Sequence, residues 1–361
     1  MRHFFLMSST LTVMLAAILV LGPSSFSQTI AHGKFVEVVV HARALENNGL
    51  ADSPDRKVEV YLPPAYESRP AQRFPVLYHL HGYSLHPVLG DWVGVFQEAL
   101  DTFIAKNPSK QMIVVIPDGF NAVGGSFWVN SSVEGGWEDF VSSELPRYID
   151  EHYRTLNNRN SRAISGHSMG GFAALRMGEL HSDVFSVVYA FSPCCTDFIK
   201  DMTAENSAWR QVLQLKSPSD IHRAMDEKQF WTAALAAFAI ATSPDPQAAV
   251  KADFPYVMRK GKMLTIQKTM DRWYGAMPDH LLPSHVPNLK SLRGLAFDYG
   301  LEDEFTHIPA GADEFTHLLE RNGIPFLFES YHGNHNSGVP VRVGTRLLPF
   351  MAEILVFDNI K

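Results

Sequence analysis

Ser168 sits in Gly166-His167-Ser168-Met169-Gly170-Gly171, between a strand-like segment from Ala163 to Ser165 and a stretch of helical spacing from Met169 to Leu180. A serine held at a sharp strand-to-helix turn projects its hydroxyl from the end of a sheet, and flanking glycines let strand and helix pass closely. The helix that follows opens with unpaired N–H donors and the positive end of its dipole, so the Met169 N–H is a candidate oxyanion donor. The chemistry this pattern suits is nucleophilic attack on an acyl carbon.

A serine hydroxyl is a weak nucleophile at neutral pH and requires a base to take its proton and a carboxylate to orient that base. In this setting the chain order is serine, acid, histidine, which confines the search to the C-terminal part. Two histidines follow the last apolar strand segment, in Tyr331-His332-Gly333-Asn334-His335. His335 is the preferred base because Gly333 lets the loop turn before it, whereas His332 belongs to the strand end and reads as structural. For the acid, Asp303 lies in the loop that follows Leu295–Tyr299 and Gly300. Asp298 has its direction set by the strand, Glu302 and Glu304 read as solvated charges, and Asp313 reads as a cap at a helix start. His307 and His317 also read as solvated. The loop after His81-Gly82 is expected to supply a second oxyanion donor, the N–H of Tyr83. His79 and His81 read as strand and turn packing. Their spacing offers no third zinc ligand, and neither a metal nor an organic cofactor is expected. The aromatic residues of Ser126-Phe127-Trp128 and Gly135-Gly136-Trp137 could wall an acyl pocket or simply fill the core.

Such residues need a scaffold that brings positions 168, 303 and 335 to one rim. Lys34–Val40 and Arg56–Leu62 read as an antiparallel hairpin at a sheet edge, with Asn47-Asn48-Gly49 as a turn signal between them. Phe74–Tyr83 is a continuous apolar run, as suits a strand covered on both faces. Met112–Ile116, Phe185–Phe191, Gly294–Tyr299 and Phe326–Tyr331 read as further strands. Helical spacing covers Trp137–Tyr153, Met169–Leu180, Ala310–Arg321 and a last segment near Val343–Leu355. Alternating strands and helices predict an α/β fold with a mainly parallel sheet and functional residues at the carboxyl ends of its strands. The alternation breaks between about Thr196 and Pro287, where Phe230–Ala241 is a helix candidate and no strand is evident. A helical insertion placed over the site is expected there.

With 361 residues and 46% hydrophobic content, the chain can bury a large α/β core. Its net charge of −7, with no basic block, offers no footprint for nucleic acid or an anionic membrane. Arg2 and His3, the apolar run Leu11–Leu21, and the small residues around Ser25 and Ser27 read as a signal peptide spanning 1–27, cleaved before Gln28. Secretion or periplasmic export is therefore expected, with residues 28–361 as one α/β domain and no later segment apolar enough to span a membrane. The only two cysteines are neighbours, Cys194 and Cys195. A bridge between adjacent residues is strained, so two buried thiols are expected, with a redox switch as the sharper alternative.

Val60-Tyr61-Leu62-Pro63-Pro64, Leu80-His81-Gly82-Tyr83, Ile116-Pro117-Asp118-Gly119, the Ser168 motif, Tyr299-Gly300 with Asp303, and Gly333 with His335 together resemble the putative-esterase family of α/β-hydrolases. That family includes esterase D, S-formylglutathione hydrolases, feruloyl esterases and mycolyltransferases. The resemblance implies the α/β-hydrolase fold and serine carboxylic-ester hydrolysis, and it agrees with Ser168, Asp303 and His335. Small-molecule or carbohydrate-linked oxygen esters are the expected substrates. Acyl transfer to a sugar or lipid alcohol uses the same residues and stays open, as does a binding protein without activity.

Overall fold

A computed structural model describes residues 32–86 and 92–358. The expected signal peptide therefore lies outside the described residues. The sheet has eight strands: β1 (Lys34–His41), β2 (Asp55–Leu62), β3 (Val76–Leu80), β4 (Ile113–Pro117), β5 (Arg162–His167), β6 (Val187–Phe191), β7 (Gly294–Gly300) and β8 (Leu327–Tyr331). Their spatial order is β1-β2-β4-β3-β5-β6-β7-β8. β2 runs antiparallel to both of its neighbours, and every pairing from β4 to β8 is parallel. The mainly parallel sheet predicted from alternating strands and helices is thus realised, with the hairpin β1-β2 at one edge.

The strand residues explain why the sheet is covered on both faces. Successive side chains of a strand point to opposite sides, and here both sides are apolar. Val76, Tyr78 and Leu80 enter one core while Leu77 enters the other, and the same division separates Val188 and Ala190 from Val187, Tyr189 and Phe191. Helix α1 (Trp92–Lys106) sends Trp92, Phe96, Leu100 and Ile104 into the second core. Helix α2 (Met169–Leu180) packs on the opposite face through Phe172, Leu175 and Met177. Each such fully buried apolar side chain contributes about 1.5–3 kcal/mol.

Between β6 and β7 the chain builds α3 (Phe230–Thr242) and α4 (Pro278–Ser291), together with a two-stranded hairpin, Tyr256–Arg259 with Lys262–Thr265. The hairpin departs from the expectation of no strand. Its turn, Lys260-Gly261, has positive φ at both residues, 48° and 76°, as a tight two-residue hairpin turn requires. A lysine in the first of those positions carries none of the usual Asn-Gly signal.

The next helix, α5 (His307–Arg321), starts three residues before the predicted Ala310, with Pro309 tolerated in its first turn. Asp313 consequently lies inside the helix rather than capping it, and accepts the Tyr299 hydroxyl at 3.0 Å. The segments expected as single helices from 137 and from 343 each contain a π-helical turn, Phe140–Glu144 and Val343–Leu347. Each widened turn leads into Leu-Pro, at Pro146 and Pro349, where the ring cannot donate a helical bond and crowds the preceding turn. The last described helix, α6 (Leu348–Ile354), sends Leu348, Phe350 and Met351 into the second core. Among the described residues no helix is long and apolar enough to cross a membrane.

Candidate active site

β5 ends at His167 and α2 begins at Met169, so Ser168 alone makes the turn, at φ 56° and ψ −115°. A non-glycine residue at positive φ is strained, and strain of this kind persists only where the surroundings fix it. They do so through backbone: Ser168 N–H donates to Phe191 O at 3.0 Å, and Ser168 O accepts from Phe172 N and Cys194 N. The glycines are required by contact. A Cβ on Gly170 would stand 1.9 Å from Leu80 O, and one on Gly166 would stand 2.2 Å from Gly170 O. Ser168 is partly exposed while every other residue from Arg162 to Glu179 is buried, and among the described residues its hydroxyl makes no hydrogen bond.

His335 and Asp303 come from loops at the carboxyl ends of β8 and β7, which are parallel neighbours. His335 Nδ1 lies 2.8 Å from Asp303 Oδ2, with the two side chains only 6% and 0% exposed. Asp303 Oδ1 accepts Phe305 N at 2.9 Å. The loops that hold this pair are interlocked. Glu302 N donates to Gly333 O, the Glu302 carboxylate accepts from Gly333 N and pairs with His332, and Glu304 accepts from His335 N at 3.1 Å. Glu302 and Glu304 are therefore not idle solvated charges but ties between the two loops. His332, expected to be structural, is exposed and takes part in this tie through Glu302.

The imidazole of His335 lies against that of His167, with centroids 4.7 Å apart, and His167 Nε2 donates to His335 O at 2.9 Å. Burial, and then the neighbouring His335, push the His167 pKa down to about 3, so His167 is a neutral donor at physiological pH. His167, the residue before Ser168, thus fastens the His335 loop to the turn at Ser168.

The loop bearing Tyr83 is set by His81. Gly119 N donates to His81 Nε2 at 2.8 Å, so His81 Nδ1 carries the proton and donates to Gly82 O at 2.9 Å. A Cβ on Gly82 would stand 3.4 Å from Ser168 Cβ, which puts this backbone against the serine. Tyr83 N–H has no acceptor among the described residues, and Met169 N–H precedes the first intrahelical bond of α2. His79 and His81 are buried packing residues, as the sequence suggested.

A narrow cavity opens onto Ser168. Its wall includes the aromatic residues Tyr83, Phe127, Phe230, Trp231, Phe238 and Phe305. Phe305, on that wall, meets His335 edge to face at 4.7 Å. Phe230, Trp231 and Phe238 come from α3, which makes part of the stretch between β6 and β7 a wall of the site. Trp128 and Trp137 are fully buried in the core, and of the aromatic residues in these two segments only Phe127 lines the cavity.

Sequence reasoning missed His307. It is 5% exposed, lines the cavity, and pairs with Asp201 at 3.3 Å. Its place as the first residue of an early-starting helix hid it. Cys194 and Cys195 are free, buried, and on the same wall.

A mainly parallel eight-stranded sheet with helices on both faces, and a serine at the turn between its fifth strand in chain order and the following helix, define the α/β-hydrolase fold. A ferulic acid esterase structure superimposes with a TM-score of 0.62 over 90% of this chain and 98% of that one, at 21% identity. The model of the family described as Putative esterase matches residues 53–273, and the chain belongs to that family. An esterase of Mycobacterium tuberculosis is 34% identical over 122 residues, covering 33% of this chain and 25% of that protein. The S-formylglutathione hydrolase of Arabidopsis thaliana is 28% identical over 176 residues, covering 42% of this chain and 54% of the relative. The chain thus spans about half or less of the curated relatives it matches.

Proposed function

We propose that this protein is an exported serine carboxylic-ester hydrolase in which Ser168 is the nucleophile, His335 the base and Asp303 the orienting acid. The observation that carries this reading is the buried 2.8 Å contact of His335 with Asp303, beside a cavity onto which Ser168 opens. An ionised carboxylate at Nδ1 holds the proton there and leaves the Nε2 lone pair for the serine. As substrate enters, the free Ser168 hydroxyl turns to Nε2, a contact that commonly tightens only in the complex.

Ser168 Oγ then attacks the ester carbonyl while His335 takes its proton. The developing O⁻ is held by the N–H groups of Met169 and Tyr83, a contribution of about 10²–10³ in rate per donor. Collapse expels the alcohol, protonated by His335, and leaves the acyl group on Ser168. A water deprotonated by the same imidazole then releases the acid.

The aromatic cavity suits an apolar acyl group, and the substrate is proposed to be a small-molecule or carbohydrate-linked oxygen ester. The pattern of residues 1–27 supports secretion or periplasmic export. Replacing Ser168 by Ala is expected to abolish turnover of a short p-nitrophenyl ester by several orders of magnitude with the fold intact. Undiminished turnover would overturn the assignment.

A further inference from the structure

Cys194 and Cys195 stand at the carboxyl end of β6, on the cavity wall shared with Ser168. In extended chain, consecutive side chains point to opposite sides. Here Cys195 adopts φ +57°, a left-handed conformation that is costly for a residue with a Cβ, and the two sulfurs lie 2.9 Å apart. Behind them is a second polar group that the proposed hydrolysis does not use. His307 lines the same cavity as Cys194, and Asp201 receives His307 Nδ1 at 3.3 Å, His307 N at 3.1 Å and the Thr306 hydroxyl at 2.9 Å.

The chemistry of the two thiols is unequal. Burial raises both, but hydrogen bonds from Cys195 and His307 bring Cys194 below the ordinary thiol range, while burial and Cys194 itself hold Cys195 well above it. Although burial opposes it, the bonds to Asp201 and Cys194 raise His307. A thiolate with a protonated imidazole beside it is the reactive form of cysteine, and a protonated neighbouring thiol is placed to resolve what it forms.

We propose that Cys194 and Cys195 are a vicinal dithiol site for a compact peroxide oxidant, and that their disulfide shuts the hydrolase down. The Cys194 thiolate attacks a peroxide oxygen: an S–O bond forms, the O–O bond breaks, and hydroxide leaves. Cys195 sulfur then attacks the sulfenic sulfur: the S–S bond forms, the S–O bond breaks, and the hydroxyl departs as water with the Cys195 proton. The protein loses two electrons and the peroxide gains them. Closing the bond draws the sulfurs to about 2.05 Å, and Cys194 N–H donates to Ser168 O, so the displacement is applied directly to the elbow. The loss of activity rests on the proposed function, whereas formation of the disulfide does not.

The experiment treats the full chain with hydrogen peroxide, then reads intact mass, peptide mass and turnover of a short p-nitrophenyl ester before and after dithiothreitol. The expected result is the loss of a pair of hydrogens located to the peptide holding both cysteines, at least a tenfold fall in turnover, and recovery of both on reduction. In Cys195→Ser the disulfide cannot form, and peroxide is expected to leave the stable oxygen adducts of Cys194 alone. Both thiols remaining alkylatable after peroxide would overturn the proposal, as would a disulfide that leaves turnover unchanged. A reduced protein with no turnover would contradict the hydrolase reading, while the mass readout would still judge the dithiol.

Discussion

Replacing Asp303 by Asn keeps size and shape but inverts one hydrogen bond. Asp303 Oδ1 accepts Phe305 N at 2.9 Å, so the side-chain oxygen of the introduced asparagine must stay there. The amide nitrogen then takes the place of Oδ2, 2.8 Å from His335 Nδ1, and donates to it. Nδ1 becomes an acceptor, the imidazole proton moves to Nε2, and no lone pair remains to receive the Ser168 proton. Where this tautomer error has been imposed on a serine–histidine–aspartate system, kcat falls by about 10⁴. At about 1.36 kcal/mol per tenfold, that is about 5.5 kcal/mol of transition-state stabilisation. Folding stability should change less, by about 1–3 kcal/mol, because the volume and both existing hydrogen bonds are kept and the cost is the second amide N–H left without an acceptor. The assay is kcat on a short p-nitrophenyl ester beside a urea titration of the same preparation. A variant within tenfold of the parent enzyme, with the parent's unfolding midpoint, would refute the assigned role of Asp303.

Gly170→Ala should be destabilised at or beyond the upper end of the about 1–3 kcal/mol typical of overpacking, because its Cβ would stand 1.9 Å from Leu80 O and only separating β3 from α2 relieves that. Gly344→Ala, whose Cβ would meet Ala99 Cβ at 3.6 Å, is the control and should unfold close to the parent midpoint. Asp279, on α4, is pushed up to about 9 by burial and then by Asp197, so its folded form holds a proton that the unfolded chain has released by neutral pH. Stability from this group is present at low pH and is lost as pH rises from about 4 towards 9, by up to about 1.4 kcal/mol per pH unit. Asp279→Asn, which mimics the protonated acid, should therefore gain stability over the parent progressively across that range in denaturant titrations, and a difference that stays flat with pH would count against this account.

The sheet was legible because its strands are short apolar runs separated by turn residues, and the elbow because Gly166, Ser168 and Gly170 obey one steric rule. That Asp303 and His335 would lie on loops after late strands was legible from chain order and from glycines that let loops turn. The helix start at His307 was not, since Pro309 argued for a later beginning, and that error turned a buried histidine into a solvated one. Nor were the ties from Glu302 and Glu304, because a charged residue in a loop says nothing of the backbone N–H it will meet when a second loop, thirty-odd residues on, folds against it. The Lys260-Gly261 hairpin escaped for a related reason: its strands are half exposed and carry too little alternation to register. Cys194 and Cys195 were read correctly as thiols, but their position on the wall beside Ser168 needed the fold.

The central claim is a covalent bond between the acyl group and Ser168. Rapid acid quench of a slowly hydrolysed ester, followed by peptide mass analysis, tests it directly. The account predicts an acyl adduct on Ser168 that forms within one turnover and decays with release of the acid. Turnover without any adduct at Ser168, or an adduct carried only by Cys194, would contradict it.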